Sequence, residues 1–282
     1  MGEMQLKRWP VLGLIVLAVI TMVLVVLAFR HARPPSVNAV PMNGPGSPAA
    51  PAAGSPAPTV SSTATPRTTP AASAPPRQRS LEAIRDLVRS EDQLDIVVLG
   101  DASGAGEDKW VAQWADSLAA NRRIELRAIE NGRTSTRNLG NSGSSTVLRN
   151  VSESGMTLRD ATNRFDQLVP AGTDLVILNF GHQESEGSIS ADLDRLWNRI
   201  PPSATGLVML QNPERGATQQ AQRNRVRAVT DWASRNRVPT VDVFDAFIQA
   251  PEPLAELLDR DGVLPNKTGS RVWRDELVKQ VG

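Results

Sequence analysis

The chain of 282 residues contains no cysteine and only two histidines. The absence of cysteine excludes disulfides and catalysis by a thiolate, although it does not identify the compartment in which the protein works. Two histidines are too few for a histidine-rich metal site. We therefore expect no metal, and no other cofactor is indicated.

The net charge of +1 conceals an uneven distribution of charge along the chain. The first 79 residues hold seven of the 31 lysines and arginines and one of the 30 acidic residues, which leaves 24 basic and 29 acidic groups in the remainder. The part of the chain after residue 79 therefore has a net charge near −5. Nothing in this balance indicates the concentrated basic face that nucleic-acid binding needs, and we expect no nucleic-acid partner.

The N-terminal segment is predominantly apolar over residues 11–29. This length is close to the roughly 20 residues that span a bilayer as a helix. Basic residues stand on both sides of the run, so flanking charge alone does not fix its orientation. A cleaved signal peptide is the alternative, but its apolar core is usually roughly 7–15 residues long, and the sequence F-R-H-A at 29–32 is a poor cleavage site. We predict that residues 1–33 are an uncleaved single-pass membrane anchor.

Residues 34–79 are rich in Pro, Ala, Ser and Thr and contain no acidic residue. Such a segment cannot bury enough apolar surface to offset the entropy lost on ordering, and its prolines favour an extended conformation. Fully extended in that way, the segment would reach roughly 140 Å. We predict a disordered linker that holds a single globular domain, residues 80–282, away from the membrane.

Residues 80–282 alternate short apolar runs with stretches of helical spacing. The apolar runs predict strands at 95–99, 124–129, 174–179, 206–210 and 240–243. Helices are predicted at 110–120, 157–168, 193–200, 219–237 and 268–281. The alternation indicates βαβ units and a parallel sheet, which binds ligands at the carboxyl ends of its strands. The polar segment 132–145 is predicted to be a flexible loop at the rim of that site.

Three groups of side chains in this domain receive structural predictions. Thr157 and Asp160 have the spacing of a capping box at the start of a helix. Glu184 and Glu186 are interpreted as solvated loop charge rather than as a cation site. The tryptophans on helical stripes are predicted to lie in the core rather than to stack on sugars: Trp110, Trp114, Trp197, Trp232 and Trp273.

Four short blocks lie after strands or in loops of the predicted sheet. Residues 100–104 read G-D-A-S-G and follow the first strand, and residues 181–184 read G-H-Q-E and follow the third. Residues 154–157 read S-G-M-T, and residues 261–266, near the C-terminus, read D-G-V-L-P-N. Their placement agrees with a site at the carboxyl edge of the sheet.

These blocks resemble those of the SGNH (GDSL-type) hydrolase family, which read G-D-S, S-G-x-T-like, G-x-N-D and D-x-x-H. The likeness extends over essentially all of residues 95–280. It implies a flavodoxin-like three-layer α/β/α sandwich with a central parallel sheet. It also implies an ester hydrolase with a serine nucleophile, a histidine base, an aspartate that orients the base, and oxyanion donors from backbone N–H groups and an asparagine amide.

Carried over to this chain, the family pattern is only partly filled. The positions that match are Asp101, Gly155, His182 and Asp261. Ala102 stands at the position of the nucleophile and Leu264 at that of the base, and neither side chain can do that chemistry. Gln183 stands at the position of the asparagine, and its longer side chain moves the amide by about 1 Å or more. Because the members of a triad act as a unit, the double loss predicts an inactive or strongly impaired domain.

An alternative is an active esterase, deacetylase-like or lipase-like, with a non-standard site. Ser103 would then attack, His182 would accept the proton, and Gly155 would donate to the oxyanion. The competing interpretation is structural: Ser103 caps a helix or hydrogen-bonds within the turn, His182 is a hydrogen-bonding residue of the pocket, and Asp101 and Asp261 form turns.

The sequence therefore predicts a membrane-anchored domain displayed outside the cytoplasm, with an SGNH-like fold and degenerate catalytic blocks. We expect it to act as a binding or scaffolding module for cell-envelope glycan or an acylated ligand. Two alternatives stay open at this point. One is the active esterase with the relocated site, and the other is a module that binds a membrane-protein partner.

Overall fold

The computed structural model describes residues 80–90, 93–130 and 133–282. The predicted membrane anchor and the linker lie outside these residues. Among the described residues, no helix has both the length and the apolar character needed to cross a membrane.

The domain alternates strands and helices along most of its length. The strands are β1 (Gln93–Gly100), β2 (Arg123–Glu130), β3 (Arg133–Leu139), β4 (Ser145–Ser152), β5 (Leu175–Asn179), β6 (Thr205–Leu210) and β7 (Thr240–Asp242). The helices are α1 (Leu81–Ser90), α2 (Trp110–Leu118), α3 (Leu158–Asn163), α4 (Phe165–Leu168), α5 (Ile189–Trp197), α6 (Gln219–Asn236), α7 (Val243–Gln249), α8 (Leu254–Leu257) and α9 (Lys267–Val281).

The strands form one sheet in the order β3-β2-β4-β1-β5-β6-β7. Every neighbouring pair is parallel except β2 with β3. Without the β2–β3 hairpin, the order β4-β1-β5-β6-β7 is that of flavodoxin-like doubly wound folds, which bind ligands where the strand order reverses. The register aligns Gly100, at the end of β1, with Ser152 of β4 and Asn179 of β5. The segments that follow these strands therefore emerge together at that edge.

The sheet is packed on both faces, as its central strands indicate. Alternate residues of β1 point to opposite sides, so Ile96 and Val98 join one apolar cluster and Val97 and Leu99 join the other. Helices α1, α2 and α9 contribute to the first cluster, and α3, α5 and α6 contribute to the second. The predicted three-layer sandwich with a mostly parallel sheet is confirmed. The five tryptophans are buried in these clusters, as predicted.

Two local predictions need correction, and strand β4, which lies between β1 and β2, is absent from the predicted strands. The polar segment 132–145, described from residue 133 onward, is not a loop at the rim of the site: half of it, residues 133–139, forms β3, which pairs with β2 at the outer edge of the sheet, three strands from β1. The predicted helix 157–168 is interrupted at Arg164, whose backbone leaves the helical range (φ −102°, ψ 7°), and so becomes α3 and α4. The capping box of Thr157 and Asp160 is confirmed at the start of α3.

The contact between Gly206 of β6 and the ring of Trp197 gives a test of this packing. A Cβ built on Gly206 would lie 2.2 Å from the indole of Trp197, which is itself buried in the core. We expect Gly206→Ala to lower the free energy of unfolding by about 1–3 kcal/mol, because the ring must leave its place. Gly187→Ala is the matched control, since no atom lies within 4 Å of the added methyl. Urea denaturation checks both variants, and equal stabilities would contradict the packing described here.

Candidate functional site

The candidate site is organised by the carboxylate of Asp101, which directly follows β1 and is 1% exposed. Its Oδ1 accepts hydrogen bonds from the backbone N–H (3.0 Å) and the hydroxyl (2.7 Å) of Ser103. Its Oδ2 accepts from Nε2 of Gln211 (3.2 Å) and from the backbone N–H of His182 (3.4 Å). These donors come from the segments that follow β1, β5 and β6, so one buried charge joins three strand ends.

Ser103 is enclosed within this network. The residue is 0% exposed, and its hydroxyl donates to Asp101 while accepting from Nδ2 of Asn179 at 2.9 Å. Asn179 in turn accepts from Nε2 of Gln211 at 3.1 Å. The hydroxyl therefore serves the turn, as the structural interpretation of the sequence predicts, and is not exposed to a ligand in the cleft.

Ala102 is less buried than the residues on either side of it. It is half-buried, whereas Asp101 and Ser103 on either side are fully buried. The position where the resembling enzymes carry their serine is therefore less buried than its two neighbours. In this chain that position presents a methyl group, which has no nucleophilic atom.

The ring of His182 is held between two acceptors. Its Nδ1 lies 2.8 Å from Oε1 of Glu214, and its Nε2 lies 3.3 Å from Oδ1 of Asn212. The amide nitrogen of Asn212 donates to the carbonyl groups of Pro213 and Val263, which fixes its Oδ1 toward the ring. The His182 side chain is 1% exposed. It is a buried hydrogen-bonding residue, and each ring nitrogen lies within hydrogen-bond distance of a protein oxygen.

Glu214 is the acidic member of a buried ion pair, and it also contacts His182. Its Oε1 also accepts from the guanidinium of Arg225 at 2.8 Å, and its side chain is 2% exposed. Burial is the largest influence on its pKa and would raise it. The hydrogen bonds from His182 and Thr218, with the charges of His182 and Arg225, outweigh burial and lower the pKa of Glu214 below its ordinary value. The carboxylate is therefore ionised and holds the imidazole in place.

Gly181 permits the close approach of the β5 and β6 segments. Its φ is +154°, and a Cβ at this position would lie 2.7 Å from Cγ of Gln211. A side chain here would push Gln211 away from the two oxygens to which it donates. The glycine of this block is thus required by the Asp101 network itself.

The loop that carries Leu264 is tied to the same network. The carboxylate of Asp261 accepts from the backbone N–H groups of Val263 (2.9 Å) and Leu264 (3.2 Å), so it forms the turn, as predicted. Nδ2 of Asn212 donates to the carbonyl of Val263 at 2.9 Å, which connects the turn to His182. Leu264 is half-buried and offers only an alkyl side chain where the base is expected.

Gly155 and Gln183 lie at the exposed surface of the site. Gly155 has a φ of +80° and open space around the position of a Cβ, so its backbone conformation is what requires glycine. Gln183 is exposed between buried neighbours. Among the described residues, neither has a hydrogen bond to the Asp101 network. The structure thus joins Asp101, Ser103 and His182 directly and leaves these two candidate oxyanion donors at the periphery.

Glu184 departs from the prediction of solvated loop charge. It is 8% exposed, and its Oε1 accepts from the backbone N–H of Leu158 at the start of α3, at 2.7 Å. Burial raises the pKa of this carboxyl. The hydrogen bond from Leu158 opposes the shift, while the nearby charges of Asp192 and Asp101 add to it. Glu186, in contrast, is exposed as predicted.

Several members of the network are not among the site residues that the sequence predicts. They are Asn179, Gln211, Asn212, Glu214 and Arg225. A weak signal existed, because Q-N-P-E at 211–214 directly follows an apolar strand, as the other blocks do. No cluster of three or more histidine, aspartate or glutamate side chains within the ranges described could hold a metal ion.

Comparisons with known proteins agree with this geometry. The model of the GDSL-like lipase/acylhydrolase family matches residues 97–272. A search of curated proteins found no significant match.

Solved structures share the fold at low sequence identity. A lipase/acylhydrolase from Enterococcus faecalis is 16% identical with a TM-score of 0.54, and the match covers 67% of this chain and 95% of that one. An alpha/beta hydrolase from the metagenome of Lake Arreo, Spain, is 18% identical with a TM-score of 0.53 and coverages of 67% and 95%. An acetylxylan esterase from Geobacillus stearothermophilus is 18% identical with a TM-score of 0.51 and coverages of 67% and 94%.

Removal of the Ser103 hydroxyl tests its structural role. We expect Ser103→Ala to lower the free energy of unfolding by about 1–3 kcal/mol, because the amide of Asn179 and the carboxylate of Asp101 each lose a buried partner. Ser234→Ala, at an exposed position of α6, should change stability by less than about 0.5 kcal/mol. Denaturation in urea measures both. A Ser103→Ala protein as stable as the parent would show that the hydroxyl is not part of the network.

Neutralisation of Glu184 should stabilise the fold in a pH-dependent way. Because its folded pKa is raised, the folded state holds the proton more tightly, so stability falls as the pH rises from the unfolded pKa of about 4.3 through the folded value. Glu184→Gln removes this loss, and its melting temperature should exceed that of the parent at pH 8 but not at pH 4. Glu186→Gln is the exposed control and should show no such trend. A constant difference between Glu184→Gln and the parent at all pH values would contradict the burial effect.

Proposed function

The chain belongs to the GDSL-like lipase/acylhydrolase family, and from this membership we propose a function that uses the family's fold without its hydrolysis. The protein is a catalytically inactive SGNH-hydrolase-like domain that binds a ligand of the cell envelope. One observation carries the proposal. Ala102 replaces the nucleophile at a half-buried position, Leu264 replaces the base, and the hydroxyl and imidazole that could substitute for them, on Ser103 and His182, are buried and hydrogen-bonded.

The hydrogen-bond network around Asp101 supports a role in ligand binding over the alternative of an enzyme impaired by substitution. A buried carboxylate with four donors and a histidine with two acceptors keep the strand ends in fixed positions. A site held in this way needs little reordering when a ligand arrives, and such preorganisation favours affinity. The edge therefore retains the means to hold a ligand while it lacks the groups that would cleave one.

The proposal also includes where the domain is located and which class of ligand it binds. The apolar run 11–29 and the linker 34–79 support a single-pass anchor that displays the domain outside the cytoplasm, where it would meet cell-envelope polymers. For the ligand we propose a glycan, acylated at some positions. The support is the fold shared with enzymes that include one named as an acetylxylan esterase. The esterase hypothesis gains no support from the geometry, because Ser103 has no exposed surface.

Acetylated xylan free of uronic acids tests capture and cleavage together. The full-length chain in a non-ionic detergent is mixed with the insoluble polymer, and bound protein and released acetate are both measured. We expect retention on the polymer with acetate release no faster than in buffer, since neither nucleophile nor base is present at the exposed positions. Ala102→Ser combined with Leu264→His is the companion variant that asks whether the scaffold supports hydrolysis once both groups return.

Two outcomes would contradict the proposal. Acetate release that Ser103→Ala and His182→Ala each abolish, in variants that remain folded, would establish an active esterase with a relocated site. A protein that neither binds nor deacetylates the polymer would remove the glycan and leave a membrane-protein partner as the explanation for the domain.

A further inference from the structure

The segment that contains α6 concentrates positive charge in an otherwise acidic domain. Residues 215–237 contain six arginines and a single acidic residue, Asp231. Of the 24 basic and 29 acidic groups after residue 79, this leaves 18 basic and 28 acidic groups for the rest. The modest net charge of the domain therefore hides a basic segment.

Five of the six arginines are exposed and unpaired. Among the described residues, no carboxylate lies within ion-pair distance of any of them. We name them the α6 stripe: Arg215, Arg223, Arg227, Arg235 and Arg237. Exposed basic residues elsewhere can be paired, as Arg137 is with Asp116 and Arg199 with Asp166. Unpaired guanidinium groups on one segment form an attractive surface for an anion.

Helical spacing places three members of the stripe on the outer side of α6, while Arg215 precedes the helix and Arg237 follows its last residue. Arg223 and Arg227 are one turn apart, and Arg235 lies eight residues further along the same exposed side. The opposite side carries Val229 and Trp232, which are buried in the core. The 18 residues of α6 extend over about 27 Å, so the charges form a row rather than a compact pocket.

The stripe begins at the candidate site. The backbone N–H of Arg215 donates to the carbonyl of Gly262, in the loop that carries Leu264, at 2.8 Å. Near the start of α6, Nε2 of Gln222 donates to the carbonyl of Asn212 at 3.1 Å, beside His182. A long ligand bound at the candidate site could therefore continue along α6.

We propose that the α6 stripe binds a linear anionic polysaccharide, which extends from the candidate site along the helix. The inference rests on the proposed function, and it adds the charge and shape of the ligand. Guanidinium groups match carboxylate and phosphate oxygens in paired hydrogen bonds. Near the start of the same helix, Nε2 of Gln220 donates to Oδ1 of Asn224, and Nδ2 of Asn224 donates to the carboxylate of Glu186, so these amides are engaged within the protein.

A polysaccharide fits this surface better than a bilayer or a nucleic acid does. The apolar residues of α6 lie beneath the helix in the core, so its outer side has none of the bulky apolar residues with which an interfacial helix enters a membrane. Its only aromatic residue, Trp232, is 1% exposed, so no ring is available to stack on unpaired bases. A row of exposed, unpaired guanidinium groups remains, which suits a chain of charged sugars.

Binding of polygalacturonate, a carboxylate-bearing polysaccharide, by the full-length chain in a non-ionic detergent tests the proposal. We expect binding at low ionic strength that weakens as salt is added, since these charges are exposed to screening. Replacement of three stripe residues, in the variant Arg223→Gln/Arg227→Gln/Arg235→Gln, should weaken binding about tenfold. Asp231→Asn removes the single acidic group and should strengthen it.

The matched control changes the same total charge at exposed, paired positions. Arg137→Gln/Arg199→Gln/Lys279→Gln should bind polygalacturonate like the parent. An equal loss in both triple variants would overturn the proposal by showing that net charge alone governs binding. Stronger competition by micelles doped with phosphatidylglycerol, or by duplex DNA, would overturn it in favour of a membrane or nucleic-acid partner.

The test of the α6 stripe can be distinguished from the test of the proposed function. The stripe variant should still retain neutral acetylated xylan, because Asp101 and its partners are unchanged. Loss of polygalacturonate binding with xylan retention intact is the expected pattern. Failure of xylan retention or the appearance of acetate release, with stripe-dependent polygalacturonate binding preserved, would count against the proposed function alone.

Discussion

The burial of the Asp101 carboxylate is the constraint on which the rest of the site depends. A charge taken out of water at the end of β1 costs several kcal/mol unless donors surround it. The donors are supplied by the next turn of chain and by the segments after β5 and β6. Each supplier is fixed in its turn, since Ser103 accepts from Asn179 and Gln211 fits only against a glycine at position 181. The carboxylate thus holds the strand ends together whether or not any chemistry follows.

This constraint explains which positions of the family pattern the fold can vary at little cost. Ala102 and Leu264 are half-buried and Gln183 is exposed, and none of the three side chains is a hydrogen-bond partner of the Asp101 network. Asp101 and His182 are buried and hydrogen-bonded to several groups, and their loss would strand charges or amides inside the domain. Within the same blocks, catalysis therefore depends on one set of residues and folding depends on another. A chain can lose the first set and keep the second.

The sequence predicts features that depend on neighbouring residues better than features that depend on distant ones. Strands β1, β5 and β6 and the tryptophan core follow from local patterns, because strands buried on both faces are continuous apolar runs. Strands β3 and β4 do not. The residues of β3 are polar and partly exposed on both faces, as those of a loop would be, and β4 mixes polar with apolar side chains and alternates half-buried with buried residues over its first part. The roles of Ser103 and Asp261 within their turns involve neighbouring residues and are predictable. The partners of His182 lie 30 and 32 residues away, and nothing local distinguishes a buried Glu214 from a solvated one.

The arginines in the sequence R-N-R-V-R at 223–227 have two different roles in the folded domain, and the composition of the segment does not distinguish them. A helix turns about 200° over two residues, so Arg225 points to Glu214 while Arg223 and Arg227 point outward. Loss of Arg225 would leave a buried carboxylate with fewer partners, which is costly, whereas loss of an exposed, unpaired arginine changes stability little. The site's rigidity and the surface charge are therefore energetically independent although they share one turn of helix. That independence lets the strand ends stay preorganised whatever charge the adjoining surface carries.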